Sequence, residues 1–134
     1  MSSLVEKIKK SEGFIGNEYK DSLEVPTIGF GTKLPISKAE GELLLSFRLN
    51  KMISDLLEEK PIIFRFPQER QEVLFEMCYQ LGLKGLLNFK MMWLALENFD
   101  YIVAAEEMLD SKWYRQTPQR AIGLANIMKG NTKT

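Results

Sequence analysis

Two carboxylates and a hydroxyl lie close together in the stretch from residue 11 to residue 32. Glu12 comes first, Asp21 follows nine positions later, and Thr27 follows six positions after that. Glycoside hydrolysis needs one protonated carboxyl that donates to the leaving oxygen and a second group that activates water or attacks. Because acidic residues are mostly exposed, such a pair is by itself more often two solvated surface groups. The spacing therefore raises acid/base chemistry on a sugar as a hypothesis that needs further support.

The expected local structure gives the two acids different surroundings. Residues 3 to 12 are predicted to form a short helix that Gly13 ends. Glu12 would then meet the negative end of the helix dipole, which favours the neutral form of a carboxyl. Asp21, on a turn or strand end, would stay ionised, and the Thr27 hydroxyl could hold a water molecule. This pattern favours Glu12 as the acid and Asp21 as the base or water-orienting group.

Short sequence motifs support that assignment. Three strings, Ser11-Glu12-Gly13, Tyr19-Lys20-Asp21 and Thr27-Ile28-Gly29-Phe30-Gly31, together resemble the active-site signature of the phage-type lysozymes, or endolysins. Later blocks resemble the family in the same order: Tyr79-Gln80-Leu81-Gly82, Asn88-Phe89 and Trp113-Tyr114-Arg115-Gln116-Thr117-Pro118-Gln119-Arg120-Ala121. The resemblance covers most of 4–32 and 75–130 and fades between about 33 and 66.

The resemblance implies an activity and a set of roles. The family are muramidases, which hydrolyse the β-1,4 bond between N-acetylmuramic acid and N-acetylglucosamine in peptidoglycan. By resemblance, the general acid is Glu12, the base or water-positioning group is Asp21, the water contact is Thr27, the substrate-binding residues are Tyr79, Gln80 and Gly31, and the residue that supports the acid is Arg120. An inverting reaction is expected, because the family's second acid does not attack directly.

The fold that the resemblance implies is α+β and mostly helical. It is a lysozyme-like two-lobed fold in which a long helix joins a small antiparallel sheet lobe to a larger helical lobe. Residues 1–134 would form a single domain, with about 13–59 as small lobe and connecting helix, and about 60–134 plus the N-terminal helix as large lobe. The patterning agrees, since Ser37-Lys38-Ala39-Glu40 is a capping box that should start a helix ending near Glu59.

Apolar residues predict which helix faces are buried. The long helix should bury a stripe of six residues: Leu43, Leu44, Phe47, Met52, Ile53 and Leu56. Helices are predicted over 68–81, stopped by Gly82, and over 83–98, where apolar residues nearly all round indicate a central helix. Asp100 should cap a helix to about Leu109, and Thr117-Pro118 should open a last helix closed by Gly130.

The composition of the chain limits which kinds of binding partner and cofactor are expected. Lys plus Arg equals Asp plus Glu at 18 each, so the net charge of zero gives no indication of nucleic acid binding. One cysteine excludes an intrachain disulfide and, with no histidine, the usual zinc ligand sets, so neither metal nor cofactor is expected. The first ten residues carry charges every few positions and have no apolar core segment. We therefore expect them to form neither a signal peptide nor a membrane span. We expect a monomer made in the host bacterial cytoplasm that reaches the glycan strands of the wall through a holin-type release partner.

Two alternatives stay open, and the first of them is motivated by a departure from the family pattern, the short stretch after Gly31. Thr32 stands where many family members have histidine, and the stretch after Gly31 is short. Lys33, Met92 and Glu107 stand at positions where the T-even phage enzyme has other residues against the sugar. A non-catalytic peptidoglycan-binding or regulatory protein could retain the fold, although the complete acidic pair argues against it. A lytic transglycosylase would use one acid and make an anhydro product, and the presence of both Asp21 and Thr27 argues against that.

Overall fold

A computed structural model of the chain describes the backbone of residues 2–130 and the side chains of residues 3–130. The helices are α1 (Ser2–Glu12), α2 (Lys38–Glu59), a 3-10 helix (Pro61–Arg65), α3 (Gln68–Leu87), α4 (Lys90–Glu97), α5 (Tyr101–Leu109), α6 (Lys112–Gln116) and α7 (Pro118–Lys129), and the strands are β1 (Ile15–Lys20), β2 (Pro26–Gly29) and β3 (Thr32–Lys33). The predicted class, α+β and mostly helical with a small antiparallel sheet, is confirmed. The chain divides into two compact units between Leu44 and Leu45, within α2.

The first unit combines α1 with the sheet and the start of α2. The sheet has the order β1-β2-β3, and both pairings are antiparallel. Its register places Thr27 opposite Tyr19 on one side and opposite Lys33 on the other. The cross-strand partners of Thr27 therefore come from two different strands. The predicted single domain, and the predicted place of the N-terminal helix in the larger lobe, stay predictions.

Helix α2 begins where the capping box predicts. The Ser37 backbone N–H donates to Glu40 Oε1 at 2.8 Å, and the Glu40 backbone N–H donates to Ser37 Oγ at 3.2 Å. The predicted buried stripe is wrong in its first half, because Leu43 is 72% exposed and Leu44 and Phe47 are also exposed. The covered face has the same three- and four-residue spacing but a later start: Leu49, Met52, Ile53 and Leu56. Only the second half of the helix packs on the core.

The second unit contains the hydrophobic core, in which α5 packs against both α4 and α7. The break predicted at Gly82 is confirmed, since this residue has φ 80° and ψ 162° inside α3. The predicted continuous helix over 83–98 is wrong, because the chain leaves helical geometry at Phe89, whose ring packs edge-on against Trp113 at 6.1 Å. Within residues 2–130, no helix combines the length and the apolar character that are needed to cross a membrane.

Two leucines of α4 provide a matched test of this core. Leu96 is fully buried, whereas Leu94 is 52% exposed on the same helix. We expect Leu96→Ala to lower the free energy of unfolding by about 2–5 kcal/mol, because it leaves a cavity. Leu94→Ala should change it by less than about 0.5 kcal/mol. Urea denaturation followed by circular dichroism measures both, and equal costs would contradict the placement of α4.

Candidate active site

Glu12 is the last residue of α1, and its side chain lies against a glycine of the turn between β2 and β3. The helix ends at Glu12, and Gly13 follows with φ +69° and donates its N–H to the Lys9 carbonyl at 2.9 Å. The turn between β2 and β3 brings Gly31, with φ +75°, against the Glu12 side chain. A Cβ atom on Gly31 would lie 2.6 Å from both Cδ and Oε2 of Glu12. The turn therefore approaches the carboxyl so closely that a side chain at residue 31 would displace it.

Aromatic packing joins the end of α1 to the same turn. The rings of Phe14 and Phe30 are 5.2 Å apart and tilted by 54°. The Lys9 ammonium lies 5.5 Å from the centre of the Phe30 ring, within the range of a cation–π contact. Residues on both sides of Glu12 thus contact the turn that carries Gly31. These contacts place the end of α1 against the sheet.

Asp21 is fixed through both of its carboxylate oxygens. Oδ1 accepts the backbone N–H groups of Leu23 at 2.8 Å and Val25 at 2.9 Å. Oδ2 accepts a hydrogen bond from the Lys33 ammonium. The Lys33 hydrogen bond, followed by that of the Val25 N–H, lowers the pKa of Asp21 below its usual value. These surroundings favour the carboxylate, the form that a base or water-orienting group needs.

Thr27 lies in β2 beside this loop and is fully buried. Its hydroxyl donates to the Val25 carbonyl at 2.7 Å. Because a hydroxyl has a single hydrogen to donate, its oxygen can take part in further contacts only as an acceptor. A water held by Thr27 would therefore have to donate to it. The water contact of Thr27 stays a prediction, in which the water is the donor and Thr27 the acceptor.

The remaining predicted residues lie in the second unit. Tyr79 and Arg120 line a groove of about 720 Å³, where Arg120 Nε donates to Glu76 Oε2 at 2.9 Å. Gln80 is outside this groove, and its Oε1 accepts the Trp113 indole N–H at 2.9 Å. Gln80 thus has a structural role, with its amide hydrogens left to donate elsewhere. The predicted sugar contacts of Tyr79, Gln80 and Gly31, and the predicted support of Glu12 by Arg120, stay predictions.

Sequence reasoning missed Lys33, to which it assigned no role. The residue stands twelve positions after Asp21, and no short motif joins the two. The signal that could have found it is the antiparallel pairing of β2 with β3, which places Lys33 opposite Thr27. Met92, another departure from the family pattern, is a fully buried core residue. Glu107 lines a second groove of about 580 Å³ together with Trp113.

Comparison with known proteins identifies the family. The profile described as Phage lysozyme matches residues 9–128. The chain is 24% identical to Probable T4-type lysozyme 1 of Dictyostelium discoideum over 164 aligned positions, which cover 98% of this chain and 96% of that protein. It is 27% identical to the Pre-baseplate central spike protein Gp5 of Enterobacteria phage T4, where the match covers 98% of this chain and 28% of that protein. Because the family profile spans nearly all of the chain, including Glu12, Asp21 and Thr27, the chain belongs to the phage lysozyme family.

Proposed function

We propose that this protein is a peptidoglycan muramidase that hydrolyses the β-1,4 bond between N-acetylmuramic acid and N-acetylglucosamine. Glu12 donates a proton to the leaving oxygen, Asp21 activates or positions the water, and Thr27 accepts a hydrogen bond from that water. Family membership supports lysozyme-type chemistry. The observation that carries the assignment is the anchoring of Asp21, whose surroundings favour the charged form.

Asp21 also supports hydrolysis over the two alternatives. In a wall-binding protein without activity the hydrogen bonds from Leu23 and Val25 would still close the loop, so the part of Asp21 that favours a hydrolase is the charged Oδ2, which has an acceptor site left for water. A lytic transglycosylase uses the sugar's own hydroxyl as nucleophile and requires no water-orienting acid. An inverting hydrolase needs one, and its two carboxyl groups stand about 6.5–9.5 Å apart to leave room for the water. We therefore propose inversion at the muramic acid carbon.

Product analysis tests this proposal. Purified protein should lower the turbidity of insoluble peptidoglycan and release new reducing ends of N-acetylmuramic acid, which borohydride converts to the alditol. Proton NMR early in the reaction should show the α-anomer first, because inversion of a β-linkage gives the α product. Anhydro-muramic ends would assign a transglycosylase instead. A first-formed β-anomer would make Asp21 the attacking nucleophile, and binding without cleavage would favour the non-catalytic alternative.

The place of action follows from the substrate. If the substrate is peptidoglycan, the protein acts on the cell wall or in the periplasm of the host bacterium. Synthesis in the host cytoplasm, release through a holin-type partner and a monomeric state stay predictions.

A further inference from the structure

Lys33 is brought to Asp21 by the register of the sheet. The two-residue strand β3 ends at Lys33, whose backbone lies opposite Thr27 of β2. From there the side chain reaches Asp21, and its ammonium donates to Oδ2. The Asp21 side chain is only 14% exposed in this pair, whereas that of Lys33 is 53% exposed. The ammonium thus contacts one oxygen of a carboxylate that is largely shielded from solvent.

The hydrogen bonds of Asp21 leave little of its carboxylate free. An ionised carboxyl has about four acceptor sites, two on each oxygen. The Leu23 and Val25 N–H groups use both sites of Oδ1, and Lys33 uses one site of Oδ2. A single acceptor site remains, on Oδ2 beside the ammonium. A water that donates to Asp21 therefore has one direction of approach.

Three groups from different elements favour the charged form of Lys33. Asp21 does so first, through its hydrogen bond, and Glu12 of α1 and Tyr19 of β1 add smaller effects. Together they raise the pKa of Lys33 above its usual value. Lys33 therefore remains a cation across the range in which carboxyl groups titrate. Its charge is constant while the protonation of the neighbouring acids changes.

We propose that Lys33 is a positioning residue for Asp21: its ammonium holds Oδ2 and leaves one acceptor site for the attacking water. This inference rests on the proposed function, because it assigns a role within the same reaction. Lys33 touches neither the scissile bond nor the water in this scheme and acts through Asp21. The lysine takes the part of a fixed donor that orients a charged oxygen.

The direction of the pH effect follows from the ion pair. The lysine stabilises the Asp21 carboxylate, so Asp21 keeps its charge to lower pH than an isolated aspartate. Removal of the ammonium lets Asp21 take up a proton at higher pH. Because the protonated form cannot activate water, the acid limb of the activity profile should move to higher pH in Lys33→Met. Arginine at this position retains a cationic donor, so Lys33→Arg should return the acid limb of the activity profile to its wild-type pH.

The test compares three variants with the wild type. Lys33→Met removes the donor, Lys33→Arg keeps one, and Lys20→Met removes a neighbouring exposed lysine as a matched control for net charge. kcat and KM are measured against pH with a soluble peptidoglycan oligosaccharide. Carbon NMR follows the Asp21 carboxyl, which is assigned by the signal lost in Asp21→Asn. We expect Lys33→Met to lower kcat about tenfold, below the roughly 100-fold loss that a 1 Å misplacement can cause.

The two readouts separate the outcomes. The proposal predicts a raised pKa of Asp21 and a kcat loss without matching KM change in Lys33→Met, rescue in Lys33→Arg, and wild-type behaviour in Lys20→Met. An unchanged Asp21 titration in Lys33→Met would overturn it, and so would a loss in KM alone. If the wild type cleaves no peptidoglycan, the proposed function fails and so does the catalytic role of Lys33. In that case the NMR titration still decides whether Lys33 controls Asp21.

Discussion

Glu12→Gln is expected to lower the turnover of peptidoglycan by about 100- to 10,000-fold, the usual contribution of a general acid. Glutamine has nearly the shape of glutamate but carries no acidic proton, so the leaving oxygen would depart unprotonated. The fold should not change, because Glu12 is exposed and is the last residue of α1. The amide also fits the space beside Gly31 that the carboxyl occupies. The loss should therefore fall on kcat.

Turbidity loss of purified walls and release of reducing ends measure this effect. Glu18→Gln is the matched control, because Glu18 is an exposed acid on β1 of the same unit. Circular dichroism and urea denaturation should show the same stability for both variants. Full turnover by Glu12→Gln would rule out the acid assignment, and an equal loss in Glu18→Gln would point to net charge as the cause.

Gly31→Ala is expected to lower activity by about 100-fold, the scale of a 1 Å displacement of a catalytic group. The new Cβ would lie 2.6 Å from Cδ and Oε2 of Glu12, so the carboxyl has to move. Gly29→Ala provides the control that separates this displacement from backbone strain. Gly29 has φ +72°, nearly the same as the +75° of Gly31, but a Cβ there would meet nothing within 4 Å. Both variants adopt a left-handed backbone at a cost of about 1–2 kcal/mol.

The comparison isolates the contact with Glu12. Urea denaturation should give similar stabilities for the two glycine variants, while only Gly31→Ala should lose most of its activity. Combining Gly31→Ala with Glu12→Gln should cause little further loss beyond Glu12→Gln, because both changes act on one group. Equal activities of Gly29→Ala and Gly31→Ala would show that the close contact has no role in positioning Glu12.

Local signals predicted the ends of helices well. The Ser37–Glu40 capping box, the break at Gly82 and the stop at Gly130 are each confirmed. Each depends on backbone conformation or hydrogen bonds within a few residues, which short stretches of sequence determine. The motif around Glu12, Asp21 and Thr27 is likewise local and places all three residues in one unit.

Features set by packing between distant residues were not predicted. The apolar residues at the start of α2 fit a buried stripe, but the face that packs begins only near Leu49. The run over 83–98 has the apolar character of one helix, but Phe89 leaves helical geometry where its ring meets Trp113. The Lys33–Asp21 pair depends on the register of β3, a strand of two residues that carries little pattern. In the last two cases the contact joins residues that are distant in sequence.

The two oxygens of Asp21 have different roles, one in the structure of the loop and one in the proposed reaction. Oδ1 accepts the N–H groups of Leu23 and Val25 and so closes the hairpin loop. Oδ2 accepts a hydrogen bond from Lys33 and has one acceptor site left. Truncation to alanine would remove both oxygens at once and take this acceptor away from the Leu23 and Val25 N–H groups. An asparagine whose carbonyl oxygen replaces Oδ1 would keep the two loop hydrogen bonds, but its amide nitrogen would replace Oδ2 and could accept a hydrogen bond from neither Lys33 nor a water. The choice of replacement at this one residue thus decides whether an experiment probes folding or chemistry.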